Sequence, residues 1–343
     1  MTEVLVHPSE LPAKNRALAT VLHSRELAVG LVLIALIVVT TIASPSFLFD
    51  SEGWRNLLVT PSILILLAIG QTAVIVTRNV DLSVGSILGL TAYLTGQVFI
   101  AYPSLPYPLV FLIGLAFGGL LGLVNGVLVA FFKVPALVIT LGTLYIYRGI
   151  FLQWAGKDRV YASDLPDNFL ALGTGQVLTI PVLTIGAAVV LAAVGYYMHT
   201  ARGGRELYAI GSDPDAARLY GLSVNRRVIG AFILCGALAG LAGVFYAARY
   251  GTVSSGAGRN MELEAVAAAV IGGVAIFGGS GTVWGAAIGA VLLETIGRAL
   301  PRLGIDDFWQ RAVVGALIIG AVVLDRVLAL RQERRLAEAR EDS

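Results

Sequence analysis

Ten long apolar runs follow one another along this chain, at about 27–43, 57–77, 83–101, 108–131, 136–154, 177–198, 228–248, 263–277, 282–299 and 309–328. A helix needs ~20 apolar residues to cross the hydrocarbon core of a bilayer, and these runs are of that order. Lipid offers the backbone no hydrogen-bond partner, so only helices and closed barrels cross it. The runs are too long for barrel strands and do not alternate between a lipid face and a polar lumen face. The expected fold is an all-α polytopic membrane protein of about ten transmembrane helices.

Composition agrees. Of 343 residues, 57% are hydrophobic and only 13% charged, against about 25% charged in soluble domains. Ten spans use roughly 200 residues and leave no room for a large soluble domain. The expected layout is a polar N-terminal segment 1–26, a membrane domain 27–328 with a polar stretch at 199–227, and a charged tail 329–343. The first apolar run starts near Leu27 with no small-residue cleavage site after it, so no signal peptide is expected.

Net charge is +2, which gives no reason to expect a nucleic-acid surface. Cys235 is the single cysteine, and His7, His23 and His199 lie far apart. Neither a disulfide nor a metal cluster is expected from such spacing. No group of His, Asp or Cys has catalytic spacing, so the chain is not expected to be an enzyme or to bind a cofactor.

Lys and Arg in short loops set orientation. With ten spans, one side holds Lys14, Arg16, Arg25, Arg78, Lys133, Arg202, Arg205, Arg218, Arg226, Arg227 and the basic tail. The other holds Arg55, Lys157, Arg159, Arg259 and Arg302. Both termini are therefore expected in the cytoplasm, with 155–176 as the main external loop. Glycines four apart, as in Gly114, Gly118 and Gly122 or Gly281, Gly285 and Gly289, point to close helix packing. Glu294 and Arg298 are placed to pair along one helix. Arg148 and Arg249 are expected near the external interface, where long side chains reach water.

Three segments break the apolar pattern. In Thr77-Arg78-Asn79-Val80-Asp81-Leu82-Ser83, Asp81 or Asn79 can cap a helix beginning near Leu82. The same residues also fit a break inside the membrane, with polar groups beside a path for solute. Asn260-Met261-Glu262-Leu263 repeats the form Asn, any, acid, Leu and likewise opens an apolar helix. Five spans separate the two openings, so the halves would be inverted, as in transporters built from inverted repeats with broken helices. The Gly-rich turn 278–281 lacks the Gly-Lys-Ser/Thr ending of a phosphate-binding loop. In the stretch 199–227, Ser212 or Asp213 caps a short helix, Pro214 suits its first turn, Arg218 lies toward its negative end and Gly221 can stop it. Two turns are unstable alone, so this helix needs a surface to pack on.

Together these blocks resemble the ribose-type family of ABC importer permeases. Asp81-Leu82-Ser83-Val84-Gly85-Ser86 looks like a family signature. So do Val134-Pro135-Ala136-Leu137-Val138-Ile139-Thr140-Leu141-Gly142-Thr143, Gly203-Gly204-Arg205 with Ala216–Gly221, and Glu262–Gly273 with Phe277–Gly281, all in the family's order. Thr77-Arg78-Asn79 before Asp81 is most similar to permeases for rhamnose or the furanose signal autoinducer-2. Ribose permeases usually carry Gly-Gly-Ile there.

The resemblance implies a subunit of the bacterial inner membrane that moves a monosaccharide or small furanose by alternating access. It implies an ABC ATPase subunit holding ATP and Mg, a second permease chain, identical or paralogous, and an extracytoplasmic sugar-binding protein. Gln71, Asn79, Asp81, Asn125 and Glu262 are the expected pathway residues, since a neutral sugar needs hydrogen-bonding groups. Asp213, Pro214, Ala217, Arg218 and Gly221 are the expected ATPase-coupling residues. The competing expectation is a stand-alone secondary transporter for a small polar solute, which also needs broken helices but has no use for a capped docking helix.

Overall fold

The computed structural model describes residues 25–132, 134–306, 308–317, 319–320 and 323. The segment 1–24, the tail 329–343 and much of the expected span 309–328 lie outside the described residues. Up to residue 302 of the described part, the α-helices run in the order α1 Arg25–Ala43, α2 Ser46–Phe49, α3 Ser51–Val59, α4 Pro61–Ile75, α5 Val84–Ala101, α6 Tyr107–Phe132, α7 Ala136–Ala155, α8 Asp167–Thr174, α9 Val182–Thr200, α10 Arg202–Ser212, α11 Pro214–Leu219, α12 Val224–Tyr250, α13 Met261–Ile271 and α14 Val283–Arg302. A two-residue hairpin, β1 Gln176–Val177 with β2 Ile180–Pro181, lies between α8 and α9.

Eight segments among the described residues are long and apolar enough to span: α1, α3 with α4, α5, α6, α7, α9, α12 and α14. The expected ninth span, 263–277, is a departure. Its helix α13 stops at Ile271 after 11 residues, about half of the ~20 that a crossing needs. Gly273, Gly278, Gly279 and Gly281 follow with φ of 95°, 83°, 78° and 123°, a backbone open to glycine and costly for other residues. Hydropathy counted 272–277 as membrane helix, but they are not helical; the Gly-rich segment 278–281 is a turn, as its sequence suggested. Residues 309–317 of the expected tenth span are helical.

The missing half of the ninth crossing is made without a helix. Val253 exchanges backbone hydrogen bonds with Val160, and Val160 fills the space beside Gly96 of α5. Further on, Ala257 lies against Gly89 and Gly258 against Gly85. Eleven residues of α5 separate Gly96 from Gly85, about 16 Å at 1.5 Å per residue. Segment 251–260 thus descends along α5 to mid-bundle, and α13 completes the crossing.

The core is built on α4 and α12. Every residue of α4 is buried, which explains a helix that is apolar on all sides. The antiparallel pair α6 and α12 meets along its glycines: a Cβ on Gly118 would strike Gly236 and Gly240, and one on Gly236 would strike Gly118 and Gly122. Small residues let backbones touch in lipid, where burying apolar area gives no drive to associate. On α14 the series Gly285 and Gly289 packs in the same way on Gly272 and Ala268. Exposed apolar side chains on α1, α6 and α7, such as Leu31, Leu112 and Leu137, face outward as they do in a membrane protein.

Candidate functional site

Two polar centres and one short capped helix at the basic end stand out, joined by the break between α4 and α5. The chain leaves α4 through Thr77, whose Oγ1 donates to the Val74 carbonyl at 2.7 Å. Arg78 then takes φ of 66°, uncommon for a residue with a side chain. Asn79, half-buried, donates its amide to the Thr77 carbonyl at 2.9 Å and does not cap α5. It lines a cavity of about 460 Å³ with Arg78, Val80, Pro135 and Leu137. Helix α5 begins at Val84, two residues later than expected.

Asp81 is wholly buried, and its surroundings account for each of its polar groups. Its Oδ1 accepts from the Ser83 backbone N–H at 2.8 Å and from Ser83 Oγ at 2.7 Å. The Asn125 amide of α6 donates to Ser83 Oγ at 2.7 Å and lies 3.3 Å from both Asp81 carboxylate oxygens. Gln71 of α4 donates to the Asp81 carbonyl and accepts from the Asp81 N–H at 3.4 Å. Thr140 of α7 donates to the Val80 carbonyl at 3.1 Å, and the Tyr147 hydroxyl reaches Asn125 Oδ1 at 3.3 Å. A broken helix is tolerated in the membrane when neighbours supply the freed backbone groups in this way. Gln71, Asp81 and Asn125 are thus brought together. Ser83, Thr140 and Tyr147 were missed by sequence reasoning; only Ser83, two residues after Asp81, carried a local signal as an Asx turn.

Glu262 belongs to the second centre. Its side chain lies against Gly85, where a Cβ would collide with the carboxylate. The two Asn-any-acid-Leu openings therefore meet through the first turns of α5 and α13, and those helices run in opposite directions. Their backbones differ: the left-handed residue is Arg78 in one opening and Asn260, with φ of 70°, in the other. Glu262 Oε2 is buried with no hydrogen-bond partner among the described residues. Beside it Arg148 donates to the Ala257 carbonyl at 2.7 Å and lies over the Phe151 ring. This corrects the expectation for Arg148, which sits at mid-bundle holding the descending segment. Arg249 donates to Asn56 at the C-terminal end of α12, at 2.7 Å.

Arg259 and Asn260 are exposed. With Glu264, Gln310, Arg311 and Phe308 they line a cavity of about 730 Å³. An arginine at the centre of a bilayer costs ~3 kcal/mol or more unless it meets protein or water. This face of the chain, with several donors and acceptors, is suited to contact water or a polar solute. The expected Glu294–Arg298 ion pair is not formed. Arg298 instead donates to the Gly53 carbonyl at 3.1 Å and lies over the Phe47 ring.

At the basic end, Asp213 caps α11 by accepting from the Asp215 and Ala216 backbone N–H groups at 3.0 Å each. Those bonds hold its carboxyl below the usual carboxylate range. Pro214 occupies the first turn, Ala217 is buried beneath the helix, and Gly221 turns the chain at φ of 78°. Arg218 pairs with Asp215 at 2.8 Å on the exposed side. Leu219 and Tyr220 are 89% and 88% exposed, an apolar tip that sequence reasoning overlooked. Behind it, Glu206 of α10 accepts from Arg227 at 2.5 Å and Arg202 at 2.7 Å, which hold its carboxyl below the usual range.

The family described as branched-chain amino acid transport system / permease component matches residues 54–322. The autoinducer 2 import system permease protein LsrC of Enterobacter sp. (strain 638) is 36% identical over 325 residues, covering 94% of this chain and 93% of that protein. The protein of that name from Klebsiella pneumoniae subsp. pneumoniae is 36% identical over 324 residues, with the same coverage. That from Escherichia coli (strain K12 / DH10B) is 39% identical over 274 residues, 80% of this chain and 79% of that protein. No solved structure matches.

Proposed function

This chain belongs to the branched-chain amino acid transport system / permease component family and acts as the membrane-spanning permease subunit of an ABC importer; we propose that its cargo is a small neutral furanose or monosaccharide of the autoinducer-2 or rhamnose type. The relatives named for autoinducer-2 import support that choice of cargo. A neutral polyhydroxyl solute is recognised by hydrogen-bonding groups more than by strong charge, and the chain offers Asn79 in one cavity and Asn260, Glu264 and Gln310 in the other, with Glu262 packed on Gly85 behind Asn260.

The reading is carried by one observation: the non-helical segment 251–260, which descends along α5 and ends on exposed Arg259 and Asn260. Non-helical backbone at membrane depth belongs against protein or a water-filled path. The solute would pass between this face and a second permease chain. Asp81, Gln71 and Asn125 would act behind it, fixing the break. The basic end would face the cytoplasm, and α11, with Asp213, Pro214, Ala217, Arg218 and Gly221 shaping it, would dock on an ATPase subunit that holds ATP and Mg. An external binding protein would deliver the cargo.

The test is uptake of labelled L-rhamnose, D-ribose and autoinducer-2 by vesicles containing the chain with its ATPase and binding protein, with and without ATP. ATP-dependent uptake of rhamnose or autoinducer-2, weakened by Asn260→Leu, supports the proposal. Preferential uptake of ribose overturns the cargo, and uptake independent of ATP overturns the importer.

A further inference from the structure

Arg78 ties the C-terminal end of α10 to the polar break by side-chain hydrogen bonds. Its Nε donates to the Gly211 carbonyl at 2.5 Å and its Nη2 to the Ser212 carbonyl at 2.6 Å. Those carbonyls close α10, and the next residue, Asp213, caps α11. In the other direction Arg78 stands three residues before Asp81. We propose that Arg78 is the positioning residue through which movement of α11 reaches the Asp81 break, so that removing it separates ATP hydrolysis from transport. This rests on the importer reading above.

Three features support it. A guanidinium at a helix C-terminus meets the negative end of the helix dipole as well as free carbonyls, and charged hydrogen bonds are about twice as strong as neutral ones. No carboxylate lies within ion-pair distance of Arg78 among the described residues, and its guanidinium, on an exposed residue, bonds those two carbonyls. The left-handed backbone of Arg78 closes α4, with the Arg78 N–H on the Ile75 carbonyl at 2.9 Å and the Asn79 N–H on the Val74 carbonyl at 3.3 Å, so the residue whose side chain reaches α10 is itself the cap of a spanning helix.

The joint is also stiff. The Gly279 N–H donates to the Val76 carbonyl at 2.9 Å, and the Tyr208 hydroxyl donates to the Gly281 carbonyl at 3.0 Å. A Cβ on Gly211 would strike the Val76 carbonyl. Segments 76–78, 208–212 and 278–281 are therefore in direct backbone contact and have little room to slide. Beyond Arg78, the break is bonded to α4, α6 and α7 through Gln71, Asn125 and Thr140. A shift of α11 is carried to three spanning helices, which is what a two-state transport element requires.

The experiment compares wild type, Arg78→Ala and Arg78→Lys, each reconstituted with the ATPase subunit and binding protein. The probe is whichever of labelled L-rhamnose, D-ribose or autoinducer-2 the wild type imports. In Arg78→Ala the ATPase still co-purifies and hydrolyses ATP, while import per ATP falls about tenfold, the size of an ordinary coupling between sites. Arg78→Lys, whose single ammonium cannot span both carbonyls, falls less. Unchanged import per ATP in Arg78→Ala overturns the inference. So does loss of the ATPase from the purified complex, which would make Arg78 a support for α11 and nothing more. Where Arg78→Ala does not assemble, Arg78→Lys decides: a lowered ratio with ATPase bound supports the inference and a wild-type ratio overturns it. A wild-type chain that captures no ATPase would instead overturn the importer reading itself.

Discussion

Asn125 holds its amide 3.3 Å from both carboxylate oxygens of Asp81, across 44 residues of sequence and inside a cluster with no exposed surface. The pair joins α6 to the break between α4 and α5. Asn125→Leu removes the donor and leaves the buried carboxylate under-satisfied. The expected loss is about 1–3 kcal/mol, read as a lowered melting temperature of the detergent-solubilised protein. Asn125→Asp, which adds a second carboxylate, should be worse than Asn125→Leu.

Packing between α6 and α12 depends on the absence of side chains. Gly236→Val forces its Cβ into Gly118 and Gly122 and should destabilise by about 1–3 kcal/mol, the range for overpacking. Gly142 on α7 has open space around its Cβ position. Gly142→Ala should leave stability equal or raise it by up to ~1 kcal/mol through helix propensity. Thermal melts of the two variants check the contrast.

The exposed apolar pair Leu219 and Tyr220 should carry binding to the ATPase subunit. Leu219→Asp and Tyr220→Asp are expected to weaken co-purification about tenfold or more, as loss of a central apolar anchor does. Both side chains are almost fully exposed, so the melting temperature of the isolated chain should not change.

Stability at the basic end should depend on acid. Glu206 is held below its usual value of 4.5 by hydrogen bonds from Arg227 and Arg202. The folded state therefore binds fewer protons there than the unfolded state. The contribution is fully present above about 4.5 and is lost as pH falls through the lowered folded value. Glu206→Gln should flatten the acid side of a stability profile measured from pH 3 to 7 (about the range where carboxylates titrate).

The apolar runs found eight spans because hydropathy is a local property and a bilayer asks for length alone. The capped helix α11 was equally plain, since Asp213, Pro214 and Gly221 act on neighbours no more than a few residues away. The ninth run misled for the same reason. Residues 272–277 are apolar enough for a span, yet glycine let the backbone turn there, and hydropathy does not register φ. Arg148 was placed at an interface because nothing near it in sequence announces Ala257, the residue whose carbonyl it holds.

By itself, then, the sequence determined an all-helical membrane chain, its principal spans and the short capped helix α11, because hydropathy and capping act over one or two turns. Tertiary structure alone decided that Asp81 is enclosed by Gln71, Asn125 and Tyr147, that Glu262 rests on Gly85, and that Arg78 grips the end of α10. Each of those contacts joins separate elements. Which polar group finds which partner is settled only when the glycine-lined helices have packed and no water remains to satisfy it.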